Sequence, residues 1–153
     1  MDDLFQNPIS AATRFCAVYG QPIRHSGSPA MHNPALAKLG LDWRYLAFEV
    51  SPDALGQAIV GARAMHFVGL NLTVPHKLLA LELVDALDKS ATTWGAVNTI
   101  CFEAKNDSGD WTPLGQLTDP PASGIRAKGY NTDADAITLA LQQDLGLSLA
   151  GLR

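Results

Sequence analysis

The chain has 153 residues, 47% of them hydrophobic and 17% charged, with a formal net charge of −4. That length is a prior for one domain, able to bury roughly two-thirds of its unfolded surface, and the mild acidity without a basic run argues against a nucleic-acid partner. No stretch approaches the roughly 18 uninterrupted apolar residues of a membrane span, and Met1-Asp2-Asp3 lacks the basic-then-apolar opening of a secretion signal.

Residues 14–20 (RFCAVYG) form a short apolar run ending at glycine, the pattern of a buried strand. After a loop, Ser28 followed by Pro29 reads as an N-cap with proline at the first helical position, and that helix should stop at Gly40. Residues 43–50, rich in aromatics, read as a second strand. Ser51-Pro52-Asp53 repeats the cap signature and opens a helix toward Ala64. Residues 67–72 predict another buried strand, and Pro75 starts a third helix that runs through LLALELVDAL to about Asp88.

Residues 90–94 read as a short capped turn and residues 97–104 as a strand. Residues 103–124 hold three of the nine prolines and three glycines, so they predict a hairpin with its tip at 106–109 and then a polar excursion. Residues 128–130 close that unit. Thr132 or Asp133 then caps a helix reaching Leu145 before Gly146. This order predicts an α/β domain: a mostly parallel mixed sheet flanked by helices, with at least one antiparallel strand from the hairpin.

Four polar clusters punctuate this framework, each placed where a strand is expected to end and a helix to begin: HSGSP at 25–29, NLTVPHK at 71–77, GAVNT at 95–99 and GYNTD at 129–133. In open α/β sheets, ligands bind in the crevice beyond the carboxyl ends of the strands. Hydroxyls, amides, one lysine and one acid gathered there describe a site for a small, oxygen-rich molecule.

Lys77 falls in the first turn of the expected Pro75 helix, where the macrodipole disfavours a cation and would favour proton exchange; the alternative is a lysine reaching into solvent. Asp133 could pair with it, or simply cap its helix, with Thr132 and Asp135 imitating a capping box. Ser26 and Ser28 offer either a cap or a carboxylate site. Asn71 and Thr73 share one side of a strand end by the two-residue period. Asn98 and Thr99 lie in an apolar stretch and need partners, from ligand or from backbone.

His25, His32, His66 and His76 lack the paired spacing of a metal site, so no metal is expected. His32 reads as packed or hydrogen-bonded, and Trp43, Trp94 and Trp111 as core or hairpin packing. Cys16 and Cys101 read as buried thiols of a reducing compartment, which makes the cytoplasm the expected location. No glycine-rich nucleotide cradle occurs in the sequence.

Taken together, the segments VYGQPIRHSGSPAMHN (18–33), GLNLTVPHK (69–77), WGAVNT (94–99) and GYNTD (129–133) resemble the N-terminal, substrate-binding domain of the shikimate dehydrogenase family, which includes quinate and aminoshikimate relatives. The resemblance implies a reversible, NADP-dependent reduction of 3-dehydroshikimate to shikimate. It implies that Ser26 and Ser28 hold the substrate carboxylate, Asn71 and Thr73 line the pocket, Asn98 contacts ring hydroxyls, and Lys77 and Asp133 form the catalytic pair. Both serines favour shikimate over quinate.

By the same resemblance, residues 1–153 form the substrate domain, residues 147–153 lead into an NADP-binding Rossmann domain that is missing here, and a homodimer is possible. As given, the chain is then expected to bind shikimate without turning it over. This sequence departs from the family in a longer 103–124 segment and in Ala134, where glycine is common. A binding module for polyhydroxy acids, without chemistry, is the competing expectation.

Overall fold

The computed structural model describes residues 8–147; the expected lead-in at 148–153 lies outside them. One seven-stranded sheet organises the chain. Its elements are β1 (Arg14–Gly20), α1 (Ser28–Lys38), β2 (Trp43–Glu49), α2 (Leu55–Ala64), β3 (Gly69–Leu72), α3 (His76–Leu79), β4 (Ala86–Leu87), α4 (Lys89–Trp94), β5 (Thr99–Lys105), β6 (Trp111–Pro113), β7 (Arg126–Tyr130) and α5 (Asp133–Leu145). The strand order is β2-β1-β3-β5-β7-β4, with β6 paired to β5.

β1 pairs in parallel with β2 and β3, and β4 pairs in parallel with β7. β5 is antiparallel to β3, β6 and β7. Six strands therefore share one direction and β5 alone runs against them, as a mostly parallel mixed sheet requires.

The two-residue period sorts the strands into two faces. Ala17, Tyr19, Leu70, Leu72, Ile100 and Phe102 point to one side and pack on Leu55, Ile59 and Ala62 of α2. Val18 and Tyr45 point to the other, where Ile23 and Leu36 cover them. Each large apolar side chain withdrawn in this way stabilises the fold by about 1.5–3 kcal/mol. α1 is fastened by Asn33, whose side-chain amide accepts from Tyr45 N–H at 2.8 Å and donates to Tyr45 O at 2.9 Å.

Three expectations need correction. The helix expected from Pro75 to Asp88 is only one turn long, followed by a 3-10 turn at Ala80–Glu82 and then β4. Asp85 ends it: its carboxylate accepts from Ala127 N–H and from Arg63, both at 2.7 Å. Ala86 and Leu87 then pair with Lys128 and Gly129. Tertiary pairing thus overrides a leucine-rich pattern that locally favours helix.

The second correction concerns caps. Gly27 rather than Ser28 is the N-cap of α1, and Ser28 is its first residue. Thr132 occupies the N-cap of α5 without a side-chain cap bond; the side chain of Asp135 lies outside the described residues. The third concerns packing: Trp94 is 56% exposed and is no core residue, because it ends the six-residue α4 at the left-handed Gly95.

Candidate active site

The reversed direction of β5 explains how four clusters reach one place. Ser28, Thr73 and Asp133 follow the carboxyl ends of β1, β3 and β7, but Asn98 and Thr99 open β5 instead of ending a strand. Because β5 is antiparallel, its amino end lies at the same sheet edge as its neighbours' carboxyl ends. The expected strand-to-helix junction at Asn98 is therefore a turn-to-strand junction.

A cavity of about 240 Å³ opens at that edge, lined by Ser28, Asn71, Thr73, Lys77, Asn98 and Asp133, together with Val18, His32, Tyr45, Leu72 and Thr132. Ser26 is not on its wall; the Ser26 hydroxyl accepts from Ser28 N–H at 3.3 Å, two residues behind. Gly20 leaves room for Thr73, since a Cβ at that position would collide with the Thr73 methyl.

Lys77 Nζ donates to Asp133 Oδ2 at 2.6 Å, across 56 residues of sequence. Both side chains remain partly open to water, at 34% and 49% exposure. With α3 a single turn, a macrodipole no longer accounts for Lys77; the carboxylate does. Asn98 Nδ2 holds the other oxygen, Asp133 Oδ1, at 2.6 Å. The Asp133 N–H donates to Asn131 Oδ1 at 3.1 Å.

Asn98 itself is buried. Its N–H donates to Tyr130 O and its carbonyl accepts from Leu72 N–H, so both neighbouring strands pin it. Asn71 Nδ2 donates to Thr99 Oγ1 at 3.0 Å, and Tyr45 Oη donates to Asn71 Oδ1 at 2.7 Å. Tyr45 stacks on His32, with ring centroids 4.2 Å apart, and His32 Nδ1 donates to Ser28 O at 2.9 Å. Burial pushes the Tyr45 phenol up to about 12; Cys16 adds to the rise and the Ser28 hydroxyl opposes it.

Sequence reasoning missed Tyr45 and Thr132 as members of this site. Thr132 had a signal in GYNTD, hidden behind its capping role. Tyr45 had none, since nothing local to β2 indicates that its phenol crosses β1 to reach β3.

His76 positions Lys77 from below. Its ring is fully buried and Nε2 donates to Val50 O at 2.9 Å, while the Lys77 carbonyl accepts from Val97 N–H at 2.8 Å. Burial holds the His76 imidazole below its ordinary value of 6.5, and the Val50 contact pulls the other way. The neutral ring is the folded form. The stability it contributes is complete above pH 6.5 and is lost as pH falls through 6.5 toward the depressed folded value. Urea midpoints measured between pH 7.5 and pH 5 should therefore fall for the wild-type chain and change less for His76→Gln.

The fold and the cavity define an α/β domain with a polar cavity at its strand ends and a lysine–aspartate pair on the cavity wall. The chain belongs to the family described as the shikimate dehydrogenase substrate binding domain, which it matches over residues 18–100.

A shikimate dehydrogenase (NADP(+)) of Methanopyrus kandleri is 39% identical over 136 residues, covering 89% of this chain and 40% of that protein. The Geobacter sulfurreducens protein of the same name is 38% identical over 146 residues, covering 95% and 44%. The chain thus spans less than half the length of these relatives. Among solved structures, a Listeria monocytogenes shikimate 5-dehydrogenase in complex with shikimate and NAD is 34% identical, with a TM-score of 0.71, covering 93% of this chain and 42% of that one. A Thermus thermophilus shikimate 5-dehydrogenase in complex with NADP(H) and shikimate gives 35%, 0.67, 86% and 42%.

Proposed function

We propose that this domain binds shikimate and 3-dehydroshikimate in the 240 Å³ cavity and supplies the proton-transfer pair of an NADP-dependent shikimate dehydrogenase. The observation that carries this reading is the 2.6 Å contact between Lys77 and Asp133 at the cavity wall. The relatives named above act under that name with NADP(+), and two neighbouring structures hold shikimate.

In this reading Ser28 takes the carboxylate from the cavity wall with Ser26 on the loop beside it, Asn71 and Thr73 line the ring, and Asn98 and Asp133 meet its hydroxyls. During reduction the Lys77 ammonium donates a proton to the carbonyl oxygen at C3, and the resulting amine stays against Asp133. Partial exposure of both side chains lets water return the proton. In the reverse direction the Lys77 amine accepts the hydroxyl proton. General acid–base transfer of this kind contributes about 10²–10⁴-fold to rate.

The hydride belongs to the dinucleotide, which the described residues do not fit: they contain no glycine-rich phosphate loop, and the cavity suits one substituted ring. A second, Rossmann-type domain would hold it. Support comes from the length of the relatives and from α5, where Ile137, Leu139 and Leu145 are each more than half exposed. Cys16 and Cys101 are free and partly buried thiols, each pushed up to about 11 by burial; this supports a cytoplasmic setting. The exposed edge strand β2, with Leu46 and Phe48 about 40% accessible, supports pairing into a homodimer.

Isothermal titration of this chain with shikimate tests the reading. One-to-one binding is expected, with a thermal midpoint that rises on saturation; a ligand at 100 times its Kd adds about 2.7 kcal/mol. Absence of both heat and midpoint shift at millimolar shikimate would refute it.

A further inference from the structure

The hydrogen bonds around Asp133 can be assigned a direction from the carboxylate outward. An ionised carboxylate only accepts, so the Asn98 amide must present Nδ2 to Asp133 Oδ1, and its Oδ1 must face the other way. There Asn98 Oδ1 accepts from Thr132 N–H and from Thr99 Oγ1, both at 3.0 Å. A threonine hydroxyl has one proton, and Thr99 spends it on Asn98. At its 3.0 Å contact with Asn71 the same oxygen must accept, which turns Asn71 Nδ2 toward Thr99. Asn71 Oδ1 is then left facing Tyr45 Oη at 2.7 Å, and the phenol must donate.

Four successive donors therefore point one way: Tyr45 to Asn71, Asn71 to Thr99, Thr99 to Asn98, Asn98 to Asp133. The series crosses β2, β3, β5 and the start of α5. Aligned hydrogen bonds of this kind polarise one another. A phenol raised to about 12 keeps its proton at neutral pH, as the first donor must.

We propose that Tyr45 and Thr99 are positioning residues of this site: they lock the Asn71 and Asn98 amides in single orientations, and through them fix the Asp133 carboxylate that holds Lys77. Without the phenol, Asn71 can rotate and Thr99 is free to donate either way, so Asn98 Oδ1 is held by Thr132 alone. The ligand-binding consequence rests on the function proposed above; the orientation of the amides does not.

The test uses the 153-residue chain with ¹⁵N labelling and shikimate as the probe. Tyr45→Phe and Thr99→Val are each expected to shift the side-chain amide resonances of Asn98, although Tyr45 makes no contact with that residue among the bonds described. Both variants should weaken shikimate binding about fivefold to tenfold, the loss expected for one neutral hydrogen bond. Thr99→Ser, which restores the hydroxyl, should return both readouts to within twofold of wild type.

The proposal is overturned if the Asn98 amide resonances stay in place in both variants, or if Thr99→Ser behaves like Thr99→Val. If wild-type chain binds no shikimate, the functional reading fails on its own, and the amide resonances still decide the proposal.

Discussion

Replacing Lys77 by methionine should lower kcat by about 10²–10⁴-fold in the enzyme that carries this domain, while leaving the fold nearly as stable as before. The two effects separate because of where the ammonium sits. Among the described residues its one charged contact is Asp133, and both side chains are a third to a half exposed. Partly exposed ion pairs contribute about 0–1 kcal/mol to stability. Methionine keeps most of the length and the apolar stem of lysine, so little but the charge is removed from α3. What disappears is the group proposed above to pass a proton to the C3 oxygen. Steady-state kinetics beside a thermal melt check this, and turnover within tenfold of wild type would remove Lys77 from the chemistry.

Arg126→Met is expected to have the opposite profile, with a large cost in stability. Glu103 is 4% exposed and sits directly across β5 and β7 from Arg126. The guanidinium donates to Glu103 Oε2 from Nε at 2.9 Å and from an Nη at 2.7 Å, and covers the Trp111 ring at 4.0 Å. Tyr130 Oη reaches the other oxygen at only 3.3 Å. Without Arg126 the buried carboxylate keeps a weak Tyr130 contact and the nearby charge of Lys128, and breaking such a pair costs about 3–5 kcal/mol. For a domain of this size that lowers the melting temperature by roughly 6–20 °C. The double variant Glu103→Met with Arg126→Met should recover most of the loss, since no charge is then stranded. Calorimetry of the single and double variants decides it.

The second prediction bears on the site as well. β7 carries Tyr130 at its end and delivers Asn131, Thr132 and Asp133 beyond it. A slip of one residue would turn every side chain to the other face. The Glu103–Arg126 clasp sets the register at the opposite end of that strand.

Much of this arrangement was legible in the residues. Residues 14–20 form β1 to the residue, because an apolar run closed by Gly20 has no competing reading. The polar motifs were legible because apolar strands interrupted by Asn, Thr and Lys demand an external reason. Two kinds of information were hidden. Strand direction is not written locally, so nothing in the 97–104 strand showed that its beginning lies at the same rim as the ends of its neighbours. Partners distant in sequence were also invisible: Ala86 and Leu87 become a strand only against Lys128 and Gly129, and Tyr45 joins the site only through Asn71.

The lone reversed strand also settles where this domain tolerates novelty. β5 leaves the cavity rim and turns at Asn106–Gly109, so the stretch through Gly124 grows from the opposite pole of the sheet. Insertions there lengthen the molecule away from the chemistry. That pole is a natural address for appended modules, for attachment to a surface, or for lineage-specific ornament, while the catalytic rim stays untouched.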